Sequence, residues 1–318
     1  MDPLKQYKAV FNYSYLEGKF LVNQLTIKPL VDKFPQIEFI YSESQEQYLN
    51  EIEDADFIFS MEMGLPTFKT AKNLKALFSF AAGKDRIDKN IFETIPCYTG
   101  HFHGRLISES LVGLICHFNQ NFSQISSNMV NRYWGGHSDF SNRRTLNGQK
   151  VAIIGYGHIG RYCSRLLNSL GMEIYAFQRS HDQGSCFDAG AIYTHLSELN
   201  NVVNQFDHVV SLLPQTEETN DIFNYEFFKK MKNTACFYNF GRGNSVVEGD
   251  LIKALNNNEI NGAALDVVKS EPLEENSPLW STEKLMILPH ISAYYTDYFN
   301  LYIDEVVSQL VHFFDNHL

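Results

Sequence analysis

The stretch VAIIGYGHIG, residues 151–160, runs four apolar residues straight into three glycines spaced G-x-G-x-x-G. That spacing alone is a weak signal, so its surroundings decide the reading. Lys150–Ile154 reads as a strand entering the glycines. RYCSRLLNSLG (161–171) leaves them as a helix with Cys163, Leu166, Leu167 and Leu170 on one apolar face and Gly171 as its stop. EIYAFQ (173–178) then supplies a second strand. In that setting Gly155 permits the tight turn, Gly157 lets the backbone approach a pyrophosphate, and Gly160 lets helix and strand pack closely. The helix start presents unsatisfied N–H groups to the phosphates. Tyr156, His158 and Ile159 belong to the same cofactor-binding loop.

The second strand ends Phe177-Gln178-Arg179-Ser180. An NAD site usually carries Asp or Glu here to accept from the ribose 2′-hydroxyl, and this chain has none. Arg179 offers a planar cation suited to a 2′-phosphate, and the Ser180 hydroxyl can donate to it. Gln178, Arg179 and Ser180 are therefore expected to bind NADP(H) in preference to NAD(H), with NAD(H) as the second option.

The rest of the chain extends this pattern. Its 318 residues suffice for two domains, and 44% hydrophobic with 20% charged residues is an ordinary globular composition. The net charge is -11 and no run of Lys or Arg exceeds two, which argues against nucleic acid or an anionic membrane as partner. MDPLKQYK lacks an apolar signal core, and there is no run of 18 apolar residues. Five cysteines without a CxxC pair argue against a disulfide framework or a zinc site. A cytoplasmic, metal-free protein is expected.

AVFNY (9–13), IEFIY (37–41), DFIFS (56–60) and part of NLKALFSFAAGKD read as strands. LVNQLTIKPLVDKF (21–34) reads as helical, with Pro29 as its kink or end. Residues 106–134 read as one long helical stretch carrying Leu111, Leu114, Ile115, Phe118, Phe122 and Ile125. From residue 150 onward KVAIIG, EIYAFQ, HVVSLL, TACFYNF, NGAALDV and KLMILPH supply six strands of a doubly wound sheet. A closing helix follows, with Phe299, Tyr302, Ile303, Val306, Val307, Leu310 and Phe314 on one stripe. The alternation predicts two Rossmann-like α/β domains, each with a doubly wound parallel sheet.

Three further stretches carry chemistry: YNFGRGNSVVEGDLIKAL around Arg242, GAALDVVKSEPL with Asp266 and Glu271, and MILPHIS with His290. With NLKALFSFAAGKDRID and LLPQTEETNDIFN, they make the chain resemble the D-isomer-specific 2-hydroxyacid dehydrogenase family from about residue 55 to beyond 290. The resemblance implies that Arg242 binds the carboxylate of a 2-oxo acid and polarises its carbonyl. It implies that His290 gives a proton to the carbonyl oxygen as hydride reaches C2, with Glu271 stabilising the imidazolium. Asp266 matches a residue near the nicotinamide carboxamide, or is structural. Leu213 and Pro214 match the segment beside the nicotinamide ribose, and the N–H groups of Ala82 and Gly83 match a carboxylate-binding turn.

The resemblance further implies an active site in the cleft between the domains and a homodimer built on the 106–134 segment, with Trp134 reaching towards the partner subunit. It implies a substrate domain over residues 1–100 completed by 291–318, and a dinucleotide domain over 101–290 that includes the dimerisation helix. Lys84, where relatives carry an apolar residue, and Tyr294 and Tyr295, where relatives carry small ones, leave substrate size and charge open. His101, His103, His158 and His181 read as surface or structural residues. The expected activity is NADPH-dependent reduction of a small 2-oxo acid, of the glyoxylate or hydroxypyruvate type, to the D-2-hydroxy acid. The alternatives are an NAD-dependent D-2-hydroxyacid or phosphoglycerate dehydrogenase, and a non-catalytic dinucleotide-sensing scaffold. The missing ribose acid, and the absence of a regulatory domain after residue 318, count against phosphoglycerate. The joint presence of Arg242, Glu271 and His290 counts against the sensor.

Overall fold

The computed structural model describes residues 6–12, 26–42, 44–179 and 190–317. These form two compact units, Met1–His103 with Tyr295–Leu318, and Gly104–Tyr294.

The smaller unit holds strands β1 (Tyr7–Asn12), β2 (Ile37–Ser42), β3 (Phe57–Phe59), β4 (Ala76–Phe78) and β5 (Cys97–Tyr98). They pair in parallel in the order β2-β1-β3-β4-β5. Because side chains of a strand alternate in direction, in-register neighbours of the same parity share a face. Tyr41, Phe11, Phe59, Phe78 and Tyr98 are direct register partners across all five strands. Their rings stack in sequence, Phe11 on Phe59 at 4.2 Å and Phe78 on Tyr98 at 4.9 Å between centroids. Two residues back along β3, Phe57 packs edge-on against Phe313 and Phe314 of the closing helix Tyr298–His317. That helix buries Phe299, Tyr302, Ile303, Val306 and Leu310, as its 3.6-residue stripe requires. The opposite parity, Val10, Ile58 and Leu77, enters a separate aliphatic core with Ile52, Met63 and Ile91.

Two expectations need correction here. The helix near residue 30 is short, Lys28–Lys33, and Pro29 lies in its first turn rather than at a kink or end. A proline is tolerated there because the N–H it lacks has no intrahelical partner in any case. Residues 21–25 of the expected helix lie outside the described residues. The two-residue strand β5 was too short to leave a periodic signal.

The larger unit holds β6 (Lys150–Ile154), β7 (Glu173–Gln178), β8 (Ile192–His195), β9 (His208–Ser211), β10 (Cys236–Asn239), β11 (Gly262–Leu265) and β12 (Leu285–Ile287). All are parallel, in the order β12-β11-β10-β9-β6-β7-β8. The sheet therefore has seven strands where six were expected. The extra one, β8, is a partly exposed edge strand, with no continuous apolar run to mark it. The 106–134 stretch is not one helix but two, His103–Asn119 and Phe122–Val130. The break is at Asn121, whose φ of 54° is left-handed, a conformation that asparagine tolerates better than most residues. Among the described residues no helix is long and apolar enough to cross a membrane.

One buried polar cluster sits near the amino ends of β6, β9 and β10. His208 Nε2 lies 2.6 Å from Gln149 Oε1 and Nδ1 lies 3.0 Å from the Tyr238 hydroxyl, while Asn119 donates to the same Gln149 oxygen at 3.1 Å. Burial pushes the His208 pKa down to about 4. The unfolded histidine titrates near 6.5, so between about 6.5 and 4 the unfolded chain takes up a proton that the folded one refuses. The stability His208 contributes is thus fully present above 6.5 and declines as pH falls. Urea midpoints read from pH 7.5 to 4.5 should drop for the wild type and drop less for His208→Gln.

Candidate active site

The strands of the larger sheet run parallel, so their carboxyl ends form one edge. The candidate residues of this unit lie just past those ends: Gly155–Gly160 after β6, Arg179 after β7, Leu213 and Pro214 after β9, Arg242 after β10, Asp266 and Glu271 after β11, and His290 after β12. The chain leaves β6 towards β7 on one side, and β9 lies on the other. Such a reversal of strand order opens a crevice at the carboxyl edge of a parallel sheet.

The glycine loop occupies that reversal, and each glycine has a separate steric reason. Gly155 has φ of +95°, and a Cβ there would stand 2.8 Å from the Leu212 carbonyl oxygen at the end of β9. A Cβ on Gly160 would stand 2.9 Å from the Gly155 carbonyl oxygen, which is what close helix–strand packing demands. Gly157 is different: it is exposed, and among the described residues no atom beyond its own chain neighbours lies within 4 Å of where a Cβ would be. Its bareness has no use inside the protein and suits the approach of a ligand. It also caps the helix His158–Ser169, whose first N–H groups lack intrahelical partners. Tyr156 is buried, Ile159 half-buried and His158 exposed.

At the carboxyl end of β7, Gln178 closes the strand with its Nε2 buried and without a hydrogen-bond partner among the described residues. Arg179 is exposed and ion-paired with Glu218. Ser180 lies outside the described residues, as do His181 and Cys186. The orphaned Gln178 donor, the open Gly157 and a helix start without a side-chain cap together fit a dinucleotide lying over this edge. Leu213 is buried and Pro214 exposed, its carbonyl accepting from Thr219 Oγ1 at 2.7 Å.

Arg242 sits between two glycines for a packing reason. A Cβ on Gly241 would lie 2.5 Å from the Leu213 oxygen, and one on Gly243 would lie 2.0 Å from the Val268 carbonyl. The backbone around Arg242 is therefore wedged between the segments following β9 and β11. Asn239 ties the loop down, its Oδ1 accepting from Gly241 N at 3.1 Å and its Nδ2 donating to the Arg242 carbonyl at 3.1 Å. Ser245 Oγ donates to the same carbonyl at 2.8 Å. The guanidinium is half-buried, and its Nη1 donates to the Gly241 carbonyl at 2.9 Å.

His290 Nδ1 lies 2.8 Å from Glu271 Oε2, and Glu271 Oε1 accepts from Val268 N at 3.2 Å. His290 has φ of 54°, an uncommon conformation for a non-glycine residue, and its surroundings hold it there. Its N–H donates to the Asp266 carbonyl at 2.9 Å. The Asp266 carboxylate accepts from Ile291 N at 2.9 Å, from Ser292 N at 3.0 Å and from Ser292 Oγ. Burial raises the Asp266 pKa, with the Ser292 donors opposing it. Asp266 is therefore engaged by the turn that carries His290. Asn239 and Ser245 hold the Arg242 loop and Ser292 the turn that carries His290; all three lie inside the motifs, but nothing in their sequence signalled these positioning contacts.

In the smaller unit, Ala82 and Gly83 lie in the partly exposed turn after β4. Lys84 beside them is exposed, its ammonium 5.2 Å from the Phe92 ring centroid. His103 is buried between the Gly100 carbonyl and the Tyr298 hydroxyl, each at 3.0 Å, and burial lowers its pKa to about 4. His101 is exposed near Glu305 at 3.9 Å. Tyr294 and Trp134 are exposed, and Tyr295 is half-buried.

Comparison with known proteins places these features in context. The family model for the D-isomer specific 2-hydroxyacid dehydrogenase, NAD binding domain, matches residues 112–292. A hydroxypyruvate reductase of Blautia hydrogenotrophica is 29% identical over 264 residues, covering 78% of either chain. A glyoxylate reductase of Thermofilum pendens is 29% identical over 262 residues, covering 79% of this chain and 76% of its own. The crystal structure of a D-isomer specific 2-hydroxyacid dehydrogenase family protein from Aeromonas salmonicida superposes with a TM-score of 0.78 at 26% identity, covering 99% of this chain and 97% of that one. A D-isomer specific 2-hydroxyacid dehydrogenase from Xanthobacter autotrophicus shares the fold, with a TM-score of 0.80 at 21% identity over 96% of this chain and 94% of that one.

The glycine geometry makes a paired prediction. Gly157→Ala should leave the melting temperature within about 2 °C of wild type, since the added methyl meets no other side chain or backbone segment among the described residues. It should nonetheless weaken NADPH binding at least about tenfold, a cost near 1.4 kcal/mol. Gly155→Ala, with its strained φ and a blocked Cβ, should instead lower the melting temperature by several degrees. Differential scanning fluorimetry with and without NADPH separates the two effects.

Proposed function

Because the chain belongs to the D-isomer specific 2-hydroxyacid dehydrogenase family, and so is an NAD(P)-dependent enzyme of that class, we propose that it reduces glyoxylate, hydroxypyruvate or a similarly small 2-oxo acid to the D-2-hydroxy acid, preferring NADPH. The observation that carries the reading is the 2.8 Å contact between His290 and Glu271, which follow the neighbouring strands β12 and β11, with Arg242 following β10, the next strand in the sheet. The names of the two relatives above, a hydroxypyruvate and a glyoxylate reductase, support the substrate class.

With Nδ1 facing the carboxylate, the His290 Nδ1–H donates to Glu271 Oε2 and Nε2 is the atom that exchanges a proton with substrate. The imidazolium formed when both nitrogens are protonated is stabilised by the Glu271 charge. Nε2 then delivers its proton to the substrate's carbonyl oxygen, and in the reverse direction the neutral ring withdraws it. The Arg242 fork matches the planar substrate carboxylate and draws electron density from the adjoining carbonyl. A bound nicotinamide supplies the hydride that reaches C2. Ala82 and Gly83 contribute carboxylate-binding N–H groups, and Leu213, Pro214 and Asp266 lie on the nicotinamide side. In this reading the Gly104–Tyr294 unit is the dinucleotide domain and the other unit the substrate domain. Arg179, in place of the usual ribose acid, supports NADPH over NADH.

The enzyme is proposed to act as a homodimer. The support is the exposed apolar run at the end of the Phe122–Val130 helix, where Met129, Val130 and Trp134 are 75%, 82% and 98% exposed. Light scattering coupled to size exclusion should give twice the chain mass, and a monomer rejects the dimer.

Two kinetic outcomes check the chemistry. His290→Ala should cut kcat by about 10²- to 10⁴-fold with any 2-oxo acid while NADPH affinity stays within about twofold. An unchanged kcat removes His290 from the mechanism. Across a panel of 2-oxo acids, kcat/KM should be higher with NADPH than with NADH, and a clear NADH preference rejects the role given to Arg179.

A further inference from the structure

Strand β7 ends without a carboxylate, yet the fold brings one to that place. Arg179 Nη1 is ion-paired with Oε2 of Glu218, 39 residues later in the chain. The Glu218 backbone is held by a fixed turn. It lies on the tight turn Glu217–Thr219 beyond β9, and Thr219 is buried and locked. Thr219 Oγ1 accepts from Thr216 N at 2.9 Å and donates to the Pro214 carbonyl at 2.7 Å. The turn thus presents the acid beside the Arg179 guanidinium, at the ribose end of the dinucleotide edge.

We propose that Glu218 is a specificity-determining residue that competes with the NADPH 2′-phosphate for Arg179 and so moderates the preference for NADPH over NADH. The proposal rests on the reading of Arg179 as the 2′-phosphate ligand. A guanidinium fork held by a carboxylate must be released, wholly or in part, before a phosphate dianion can use it. A carboxylate that remains nearby also repels that dianion. NADH carries no phosphate there, so its binding does not require the pair to open. Both partners are well exposed, at 58% and 70%, so the competition is screened and its effect is modest rather than absolute.

The test is a double-mutant cycle on the full chain, with dissociation constants for NADPH and NADH measured by isothermal titration calorimetry. Glu218→Gln should tighten NADPH about two- to fivefold and leave NADH unchanged or weaker. Arg179→Gln should weaken NADPH selectively, and adding Glu218→Gln to it should then tighten NADPH clearly less than Glu218→Gln does alone, since only the direct repulsion is left to relieve. An unchanged or weaker NADPH constant in Glu218→Gln overturns the competition while the Arg179 reading stands. Tightening that persists in full without Arg179 also overturns it, because the effect would then be a general charge effect. If Arg179→Gln leaves the NADPH-to-NADH ratio unchanged, the reading of Arg179 fails and the competition fails with it. Melting temperatures within about 2 °C of wild type confirm that these exposed substitutions leave the fold intact.

Discussion

The site depends on backbone segments meeting at distances that leave no room for a side chain. Gly155 meets the end of β9, Gly241 meets Leu213, and Gly243 lies against Val268 so closely that a Cβ would overlap its carbonyl. These contacts draw the turns after β6, β9, β10 and β11 into one layer above the sheet edge. Arg242 owes its position to that layer: its carbonyl is bound by Asn239 and Ser245, and its neighbours on both sides are glycines. A bulkier residue at 241 or 243 would displace the loop, and with it the guanidinium.

A second layer of constraint acts on His290. Its ring is oriented by Glu271, its left-handed backbone is held by the Asp266 carbonyl, and the following turn is gripped by the Asp266 carboxylate. Asp266 is buried with an upward-shifted pKa, yet it receives three donors from that turn, which compensates the desolvation of its charge. The His290–Glu271 pair is thereby oriented by the Asp266 and Ser292 contacts around it. The smaller unit solves a different problem. Its in-register aromatic stack crosses all five strands, and Phe57 packs edge-on against the closing helix, so aromatic packing joins the short strands to each other and to that helix.

Much of this was legible in the sequence. The glycine loop, the strands that alternate with helices and the stripe of the closing helix each leave a periodic or stereochemical signature. Arg242, Glu271 and His290 stood out from their motifs, and the structure brings Glu271 and His290 into contact. The failures have physical causes. Strands β5 and β8 are too short or too exposed for an apolar run to mark them. The break at Asn121 is one left-handed residue between two segments of compatible helical pattern. Pro29 was read as an interruption because proline stops helices from within but also starts them.

What the sequence determined by itself was the order of elements and the chemical types at their ends, because hydrophobic period, turn residues and motif spacing are local properties. Tertiary structure alone decided which of those ends meet. It set Glu271 against His290, put Asp266 under the turn that carries the histidine, and seated Asn239 beneath Arg242. It also answered the missing carboxylate at the end of β7, by folding Glu218 from a distant turn onto Arg179. Parallel strand pairing is the reason, since it joins residues far apart in the chain, and no local pattern records which strand will lie beside which.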